Sequence, residues 1–282
     1  MTPTAGVENA HRAEVESGNR FEFGANWAKF LEVLNEDRIL TAEASLKDKL
    51  GVKTLAGLRM LDAGSGSGLF SLAARRLGAQ VHSFDYDPAS VNCTRELRRR
   101  FFPDDPNWKV EAGSVLDSEY LAKLSTFDIV YSWGVLHHTG SMWQALGNVA
   151  PLVNANGKLF IAIYNDQGNR SRRWLATKKL YCKLPKPLKV PLAAAVCVQL
   201  WWRSWVKEAI LLKPFHTWRA HKADRGMSPW RDLIDWVGGY PFEVAKPEAI
   251  LDFYRARGFE LAKMTTAGGS LGCNEFVFEK RV

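Results

Sequence analysis

The chain has 282 residues, of which 46% are hydrophobic, so it is long enough to form a substantial core. Its four cysteines have no C-x-x-C spacing, which argues against a zinc site or a disulfide framework and favours a reducing compartment. The net charge of +8 is unevenly distributed, since residues 170–222 contain thirteen Lys or Arg and one acidic residue. Seven of the eleven tryptophans lie between Trp174 and Trp236, so this region is predicted to be an inserted element with a role of its own.

The N-terminal residues 1–19 are polar, and they are expected to be disordered or loosely packed. They lack the basic start and the apolar stretch of a signal peptide, so no export is expected and the predicted localisation is cytoplasmic. Apolar residues near helical spacing predict a helix over residues 26–50. The aromatic residues Phe21, Phe23 and Trp27 are candidates for closing a ligand site, with ordinary core packing as the alternative for each.

Beyond residue 55, short apolar runs alternate with segments of helical periodicity. Such alternation predicts right-handed crossover connections and a parallel sheet. Two final strands joined by the short link GGSLG must pair antiparallel. The predicted fold is therefore α/β: a Rossmann-like, doubly wound and mostly parallel seven-stranded sheet with an antiparallel last strand and an inserted helical cap. The predicted strands are 58–64, 79–86, 108–115, 127–134, 157–165, 259–267 and 273–280, and the predicted core helices are 69–78, 88–101, 142–153 and 246–258.

Three glycines at alternate positions follow the first predicted strand, in the stretch LDAGSGSGLF. In a doubly wound sheet, this loop lies in the ligand crevice at the carboxyl ends of the strands. The dinucleotide fingerprint G-x-G-x-x-G/A would need Gly or Ala where this chain has Leu69, so an NAD-dependent enzyme is the rival that the spacing disfavours. Asp85 ends the second strand about twenty residues further on, where an acid binds ribose hydroxyls. It predicts an adenosine-type ligand without deciding which one.

Four segments in order resemble class I S-adenosylmethionine-dependent methyltransferases: LDAGSGSGLF, FDYDPASV, EAGSVLD and FDIVYSWGVLHHTG. The resemblance covers roughly residues 55–165 and 246–280 and implies S-adenosylmethionine as the cofactor. It implies a cofactor-binding set of Asp62, Gly64, Ser65, Gly66, Gly68, Asp85, Tyr86, Ser114, Val115, Ser132 and Trp133. Ser114 departs from the pattern, because many members have Asp there. Helix N-capping is the alternative role for Asp85, and core packing is the alternative for Trp133.

A methyl group on a sulfonium is transferred by in-line displacement, so alignment of the reacting atoms supplies ~7–11 kcal/mol of the catalysis. A hydroxyl nucleophile also benefits from a base, and the segment VLHHTG offers His137 and His138, of which one is expected to face the pocket. A purely structural role for both is the alternative, and Asp166 is a third candidate. No cluster with metal-ligand spacing is present, so no metal is predicted. The residues predicted to contact the acceptor are Tyr164, Asn165, Trp236 and Tyr240.

The predicted function is O-methylation of a small or medium organic acceptor, such as a glycan, a lipid-linked sugar, a quinone or a secondary metabolite. The alternatives are an RNA methyltransferase that uses the basic insert and a non-catalytic cofactor-binding protein. Nucleic acid is disfavoured because the chain has YSWG where amino-methylating enzymes of this fold that act on nucleic acid have an Asn/Asp-Pro-Pro-aromatic segment.

Three regions are predicted: an N-terminal segment over 1–54 that closes the cofactor site, a methyltransferase core over 55–165 and 246–282, and a basic, Trp-rich helical cap over 166–245. The uncharged run 190–202 is too short to span a bilayer, which takes about 20 residues. It is predicted to form a buried cap helix. A peripheral contact with the inner face of a membrane, through residues 186–213, is the alternative.

Overall fold

The computed structural model describes residues 3–211 and 229–281, and its seven strands form one sheet. The strands are β1 Arg59–Ala63, β2 Gln80–Asp85, β3 Trp108–Ala112, β4 Phe127–Trp133, β5 Val153–Tyr164, β6 Phe259–Thr265 and β7 Cys273–Lys280. The helices are α1 Pro3–Glu16, α2 Gly24–Phe30, α3 Glu36–Leu50, α4 Leu69–Arg76, α5 Pro88–Phe101, α6 Ser118–Ala122, α7 Met142–Val149, α8 Asn169–Lys183, α9 Lys186–Ile210, α10 Pro229–Gly238 and α11 Pro247–Arg255. A 3₁₀ turn over Leu136–His138 follows β4.

The strand order across the sheet is β3-β2-β1-β4-β5-β7-β6, and the first five strands of this order pair in parallel. Strand β7 pairs antiparallel with both β5 and β6. The chain reverses its winding direction between β1 and β4, so the carboxyl ends of these strands form the crevice where doubly wound sheets bind ligands. This topology confirms the predicted fold class, including the antiparallel last strand.

Alternation along the strands gives the sheet a hydrophobic core on each face. In β1, Met60 packs into a cluster with α3, α4 and α5, whereas Leu61 packs into a cluster with α7 and α11 on the other face. Each fully buried Leu or Phe in such clusters contributes roughly 1.5–3 kcal/mol. The two cores therefore hold the carboxyl ends of the central strands in fixed positions beneath the ligand crevice.

The N-terminal region differs from its predicted structure in two ways. Residues 1–19 were expected to lack order, but α1 forms from Pro3 and its His11 side chain is buried. The helix predicted over 26–50 is two helices, because Asn35 adopts an extended backbone and its side chain accepts a hydrogen bond from the Arg38 backbone N–H. Asparagine in this position is a strong N-cap, so α3 begins anew after it.

The described part of the predicted cap region is mainly helical, and α8, α9 and α10 share a small core of their own. Residues 212–228 of this region lie outside the described residues. The region leaves the sheet after β5 and returns beside the same strand end, since Ala245 forms a β-bridge with Asn165. Within the described ranges, no helix is both long enough and apolar enough to cross a membrane.

Candidate functional site

The glycine loop adopts a backbone that requires glycine at two of its positions. Gly64 and Gly68 have φ values of +87° and +81°, a region that residues with a Cβ atom rarely enter. A Cβ atom at Gly64 would lie 2.4 Å from Val135 Cγ1, and one at Gly68 would lie 2.8 Å from Thr94 Cα. The loop is thus packed against α5 and the segment that follows β4 too closely to accommodate a Cβ atom at either glycine.

The third glycine of the loop faces the N-terminal helices. A Cβ atom at Gly66 would lie 3.3 Å from the indole nitrogen of Trp27 on α2. The Gly66 backbone N–H donates to Asp85 Oδ2 at 2.8 Å, which joins the loop to the end of β2. The predicted loop residue Ser65 is buried, and its hydroxyl is 2.9 Å from that of Thr94. The glycine loop, the end of β2 and helix α2 are therefore in contact with one another around Gly66.

Two buried carboxyl groups at the ends of neighbouring strands have raised pKa values. Burial raises the pKa of Asp62 to about 7, although the Ser71 hydroxyl donates to it at 2.5 Å. Burial likewise raises the pKa of Asp85 to about 6, against hydrogen bonds from the backbone N–H groups of Asp87 and Gly66. Among the residues that the structure describes, neither carboxyl has a Lys or Arg partner within ion-pair distance. The pair is therefore short of positive charge, and a cationic ligand would supply it.

Tyr86, next to Asp85, is held by the N-terminal region. Its hydroxyl donates to Glu14 Oε1 at 3.2 Å, and the Arg20 guanidinium lies 4.9 Å from its ring centroid. Arg20 also donates to Glu14 Oε2 at 2.5 Å and to the backbone oxygen of His138 at 3.0 Å. One chain of polar contacts therefore links the end of β2 to the histidine segment after β4. Sequence reasoning did not single out Glu14 or Arg20.

The remaining predicted cofactor residues lie along the ends of β3 and β4. The Ser114 hydroxyl accepts from the Leu116 backbone N–H at 3.1 Å, and Val115 is buried in the core. Ser132 is also buried, and it donates to the Ala63 backbone oxygen at 2.7 Å. Trp133 is 44% exposed and its indole N–H donates to Glu275 Oε1, so it does not pack in the core.

The two adjacent histidines have different surroundings. His137 is completely buried, and neither of its ring nitrogens has a hydrogen-bond partner of normal geometry among the described residues. His138 Nδ1 lies 2.6 Å from the backbone oxygen of Pro241. A carbonyl only accepts, so Nδ1 carries the hydrogen and the lone pair of His138 is on Nε2. Of the two rings, His138 is the one whose proton position is set by a partner.

Burial lowers the pKa of His138 to about 3, and the positive charge of Lys178 adds to the effect. Burial also lowers the pKa of His137 well below its ordinary value, with a contribution from His138. Both rings are therefore neutral at physiological pH. A neutral ring with its lone pair on Nε2 can accept a hydrogen bond, and then a proton, from a group that becomes acidic during a reaction.

Aromatic rings surround the histidines at the end of β5. The Tyr164 ring lies 4.0 Å from that of His137 and 5.4 Å from that of His138, measured between centroids. The Trp236 ring lies 5.5 Å from that of Tyr164, and its indole N–H is buried without a partner among the described residues. Phe23 lies 5.0 Å from His138 on the N-terminal side. The structure therefore brings Tyr164 next to both histidines and Trp236 next to Tyr164, and both were predicted acceptor residues.

Two predicted acceptor residues and the third catalytic candidate are less closely associated with this cluster. Asn165 Oδ1 accepts from the Asn274 side chain at 3.1 Å, which directs it to β7. The Tyr240 backbone oxygen accepts from the Phe21 backbone N–H at 2.8 Å. The Asp166 carboxylate accepts from the Gly168 backbone N–H at 2.8 Å, at the start of α8, and no described contact joins it to a histidine.

The residue that sequence reasoning missed is Lys178 on α8. Its side chain is fully buried, its ammonium donates to the backbone oxygen of Trp236, and its nitrogen lies 4.2 Å from the Trp236 ring centroid and 4.9 Å from that of Phe242. Burial lowers the pKa of Lys178 to about 7. The Trp236 carbonyl, which accepts this hydrogen bond, lies in the last turn of α10, where the helix dipole favours a cation. The sequence does contain one signal for a buried Lys178. It is four residues after Trp174 and four before Cys182, so the three residues lie on one face of the helix.

No group of three or more His, Cys, Asp or Glu side chains that could hold a metal ion is found in residues 3–211 and 229–281.

A family model described as a methyltransferase domain matches residues 55–211. A ubiquinone biosynthesis O-methyltransferase from Xanthomonas oryzae pv. oryzae is 30% identical over 161 residues, which are 56% of this chain and 63% of that protein. A tRNA U34 carboxymethyltransferase from Methylococcus capsulatus is 27% identical over 187 residues, 66% of this chain and 56% of that protein. The chain thus matches less than two thirds of the length of each of these relatives.

Among solved structures, magnesium protoporphyrin IX methyltransferase from Synechocystis PCC 6803, crystallised with bound SAH, superposes with a TM-score of 0.51. It is 15% identical in sequence, and the match covers 86% of this chain and 83% of that one. At this level of identity the likeness concerns the fold.

Proposed function

The chain belongs to the methyltransferase-domain family, and on that premise we propose that it is an S-adenosylmethionine-dependent enzyme that methylates an oxygen of a small or medium organic acceptor. The family match confirms the resemblance drawn from four sequence segments. The observation that carries the proposal is a pair of buried, uncompensated carboxyls beside the glycine loop, with the neutral His138 at the end of the neighbouring strand.

The residues fit the proposed cofactor. S-adenosylmethionine carries positive charge on its sulfonium and its α-ammonium, and when bound it supplies an electrophilic methyl group. Asp62 and Asp85 lack cationic partners among the described residues, and a ligand with this charge would lower the pKa of both. In this proposal Asp85 binds the ribose and the loop backbone from Gly64 to Gly66 binds the methionine end. Tyr86, Ser114 and Val115 border the adenine, and Ser132 and Trp133 lie beneath the methionine part of the cofactor.

His138 is proposed as the group that takes the proton of the acceptor hydroxyl. Its Nδ1–H is committed to the Pro241 carbonyl, so the Nε2 lone pair is the one available. With a pKa of about 3 it is a weak base in the resting protein. An oxygen that gains a methyl group becomes strongly acidic, so a weak base suffices once bond formation is under way. The O–H bond breaks, its electron pair stays on oxygen, and the proton moves to Nε2.

The acceptor is proposed to bind among Tyr164, Trp236 and Phe242. Three aromatic rings favour an acceptor with an apolar or ring-shaped part. The buried indole N–H of Trp236 has no described partner, and buried donors without partners are rare in native proteins. An oxygen of the acceptor would satisfy it. Quinones, glycans, lipid-linked sugars and secondary metabolites all offer such an oxygen.

We also propose that residues 166–245 act as the acceptor-binding cap of a core formed by 55–165 and 246–282, with 1–54 closing the cofactor site. The contacts of Trp27 with the glycine loop, of Phe23 with His138 and of Lys178 with α10 support this division. The four cysteines form no disulfide, which is consistent with the proposed cytoplasmic localisation.

The test is a screen of acceptors with methyl-labelled S-adenosylmethionine, read by mass spectrometry of both products. We expect label on an oxygen of a small acceptor and formation of S-adenosylhomocysteine in equal amount. Cofactor binding without any S-adenosylhomocysteine would instead support a non-catalytic cofactor-binding protein, and tight nicotinamide binding would refute the cofactor assignment.

RNA methylation is the second candidate, because one relative is a tRNA carboxymethyltransferase and residues 170–222 are strongly basic. It predicts transfer of label to bulk tRNA, and retention of tRNA that falls steeply as salt is raised. A labelled small acceptor together with unlabelled tRNA would exclude it as the main activity.

A further inference from the structure

The longest of the described helices, α9, presents an apolar face to solvent. On α9, Leu188, Pro191, Ala195, Val198, Trp202, Trp205 and Ala209 are all exposed. Their spacing alternates between three and four residues throughout, which places them along one line of the helix. At 1.5 Å per residue this line is about 32 Å long. We call these seven residues the α9 stripe.

The large members of the stripe are exposed to an unusual degree for such residues. Val198 is 52% exposed, Trp202 49% and Trp205 37%. The opposite side of α9, with Ala193, Val196 and Cys197, is buried in the small core of the cap region. The helix is thus apolar on both sides, and its inner side alone is covered by the described part of the chain. Contiguous exposed apolar surface of this kind marks an interaction site.

The net charge of α8 and α9 identifies the partner. The ionised side chains exposed on α8 and α9 are all cations, since Glu208, the one acidic residue of the two helices, is buried. The exposed or partly exposed cations are Arg170, Arg172, Arg173, Lys179, Lys183, Lys186, Lys189, Arg203 and Lys207. Two helices that combine an exposed apolar stripe and tryptophans with a large excess of cations complement an anionic lipid bilayer. Two copies of this chain would instead bring two strongly positive pairs of helices together.

We propose that α9 is an interfacial helix that lies in the headgroup region of an anionic membrane through the α9 stripe. The helix rests on the surface and does not cross it, in agreement with the absence of a spanning helix among the described residues. Residues 186–211 of the segment predicted from sequence to contact membrane are described here, and residues 212 and 213 are not.

Membrane binding would also determine where the methyl acceptor comes from, and this step rests on the proposed function. The preceding helix, α8, carries Lys178, which contacts Trp236 in the proposed acceptor cluster. A protein anchored by α9 therefore holds that cluster close to the membrane surface. An acceptor with an apolar tail would reach it from the lipid phase.

The test measures binding to vesicles, independently of methyl transfer. Wild-type protein should float with vesicles of phosphatidylcholine and phosphatidylglycerol in equal parts, with a blue shift of its tryptophan emission, and its bound fraction should fall as salt is raised. The double variant Trp202→Ser, Trp205→Ser should lower the partition coefficient on the order of tenfold or more, because two indole rings no longer enter the interface. The matched control is Leu40→Ser, which removes a residue of α3 that is 48% exposed.

Equal flotation of wild type and the double variant would overturn the proposal, as would equal binding to vesicles of pure phosphatidylcholine. Failure of wild type to float, with a dimer in sedimentation velocity that the double variant abolishes, would identify the stripe as a contact between copies. Transfer to a water-soluble acceptor should be the same in both proteins, so loss of that activity would bear on the proposed function and not on membrane binding.

Discussion

Replacement of Lys178 by Met should change how the stability of this protein depends on pH. The side chain is fully buried, with one carbonyl partner and aromatic rings around its ammonium. Met keeps the length of the side chain and its contacts with the rings but carries no charge. The wild-type amine has a pKa of about 7 when folded and an ordinary value of 10.5 when unfolded. The unfolded chain therefore binds more protons between these two pH values, so stability must rise with pH in that window.

The size of the effect follows from the two pKa values. A difference of 3.5 pKa units, from 10.5 to about 7, corresponds to about 5 kcal/mol at low pH, because one unit is 1.36 kcal/mol. Between pH 7 and pH 9 the folded amine loses its proton while the unfolded one keeps it. The free energy of unfolding should therefore rise by about 2 kcal/mol in wild type relative to Lys178→Met. The absolute stability of the variant is less informative, since an unpaired Trp236 carbonyl costs roughly 1–3 kcal/mol.

The assay is urea denaturation of both proteins at several pH values, with the difference in unfolding free energy plotted against pH. Groups far from Lys178 that titrate in this range contribute equally to both proteins and cancel. Burial raises the pKa of Asp235 to about 7 and the charge of Lys178 opposes that rise, so in Lys178→Met the Asp235 carboxyl holds its proton to higher pH and increases the expected difference between the two proteins. Lys179→Met, which removes an exposed lysine on the same turn of α8, is the matched control and should leave the wild-type slope unchanged. A difference between wild type and Lys178→Met that is constant from pH 7 to pH 9 would refute the reasoning, because Lys178 would then keep its proton in the folded state.

Three further predictions concern the site itself. Asp85→Ala should weaken S-adenosylmethionine binding by roughly 1.5–3 kcal/mol through loss of charge-assisted hydrogen bonds, as measured by titration calorimetry; unchanged affinity in a folded variant would remove Asp85 from the site. His138→Gln should lower turnover strongly while His137→Gln lowers it weakly, each with cofactor affinity nearly unchanged; wild-type rates in both variants from pH 6 to pH 9 would place the base elsewhere. Gly68→Ala should lower the melting temperature, because its Cβ would lie 2.8 Å from Thr94 Cα at a φ of +81°, and a melting temperature equal to wild type would contradict that packing.

Features encoded by local patterns were accessible from the sequence. Alternating apolar runs and helical periodicity predicted the seven strands and a mostly parallel sheet, because each signal lies within a few residues. The glycine loop was equally local, since positive φ at Gly64 and Gly68 leaves its mark directly in the residue type. The adjacency of Tyr164 and Trp236 followed from topology, because a long insert after a parallel strand opens over its carboxyl end.

Features that depend on contacts between residues far apart in the chain could not be predicted from the sequence. Helix α1 is polar, and its order rests on contacts such as Tyr86 with Glu14 and Glu14 with Arg20, which no periodicity reveals. The state of Lys178 depends on the end of α10, fifty-eight residues away in sequence. The difference in hydrogen bonding between His137 and His138 depends on the Pro241 carbonyl, so the segment VLHHTG alone left open which of the two is the better candidate for a base.

The way in which the insert joins the sheet bears on how such a protein diversifies. Its first and last residues lie side by side, since the backbone N–H of Ala245 donates to the Tyr164 carbonyl at 3.0 Å and that of Asp166 donates to the Ala245 carbonyl at 3.1 Å. Because its two ends are adjacent, the insert constrains the sheet no more than a short loop would, whatever the length of the insert. The insert can therefore lengthen, shorten or be exchanged as a module while strand pairing and the glycine loop stay intact. Under the proposed roles of the insert, acceptor preference and attachment to membranes are thus free to evolve separately from the sheet and the glycine loop.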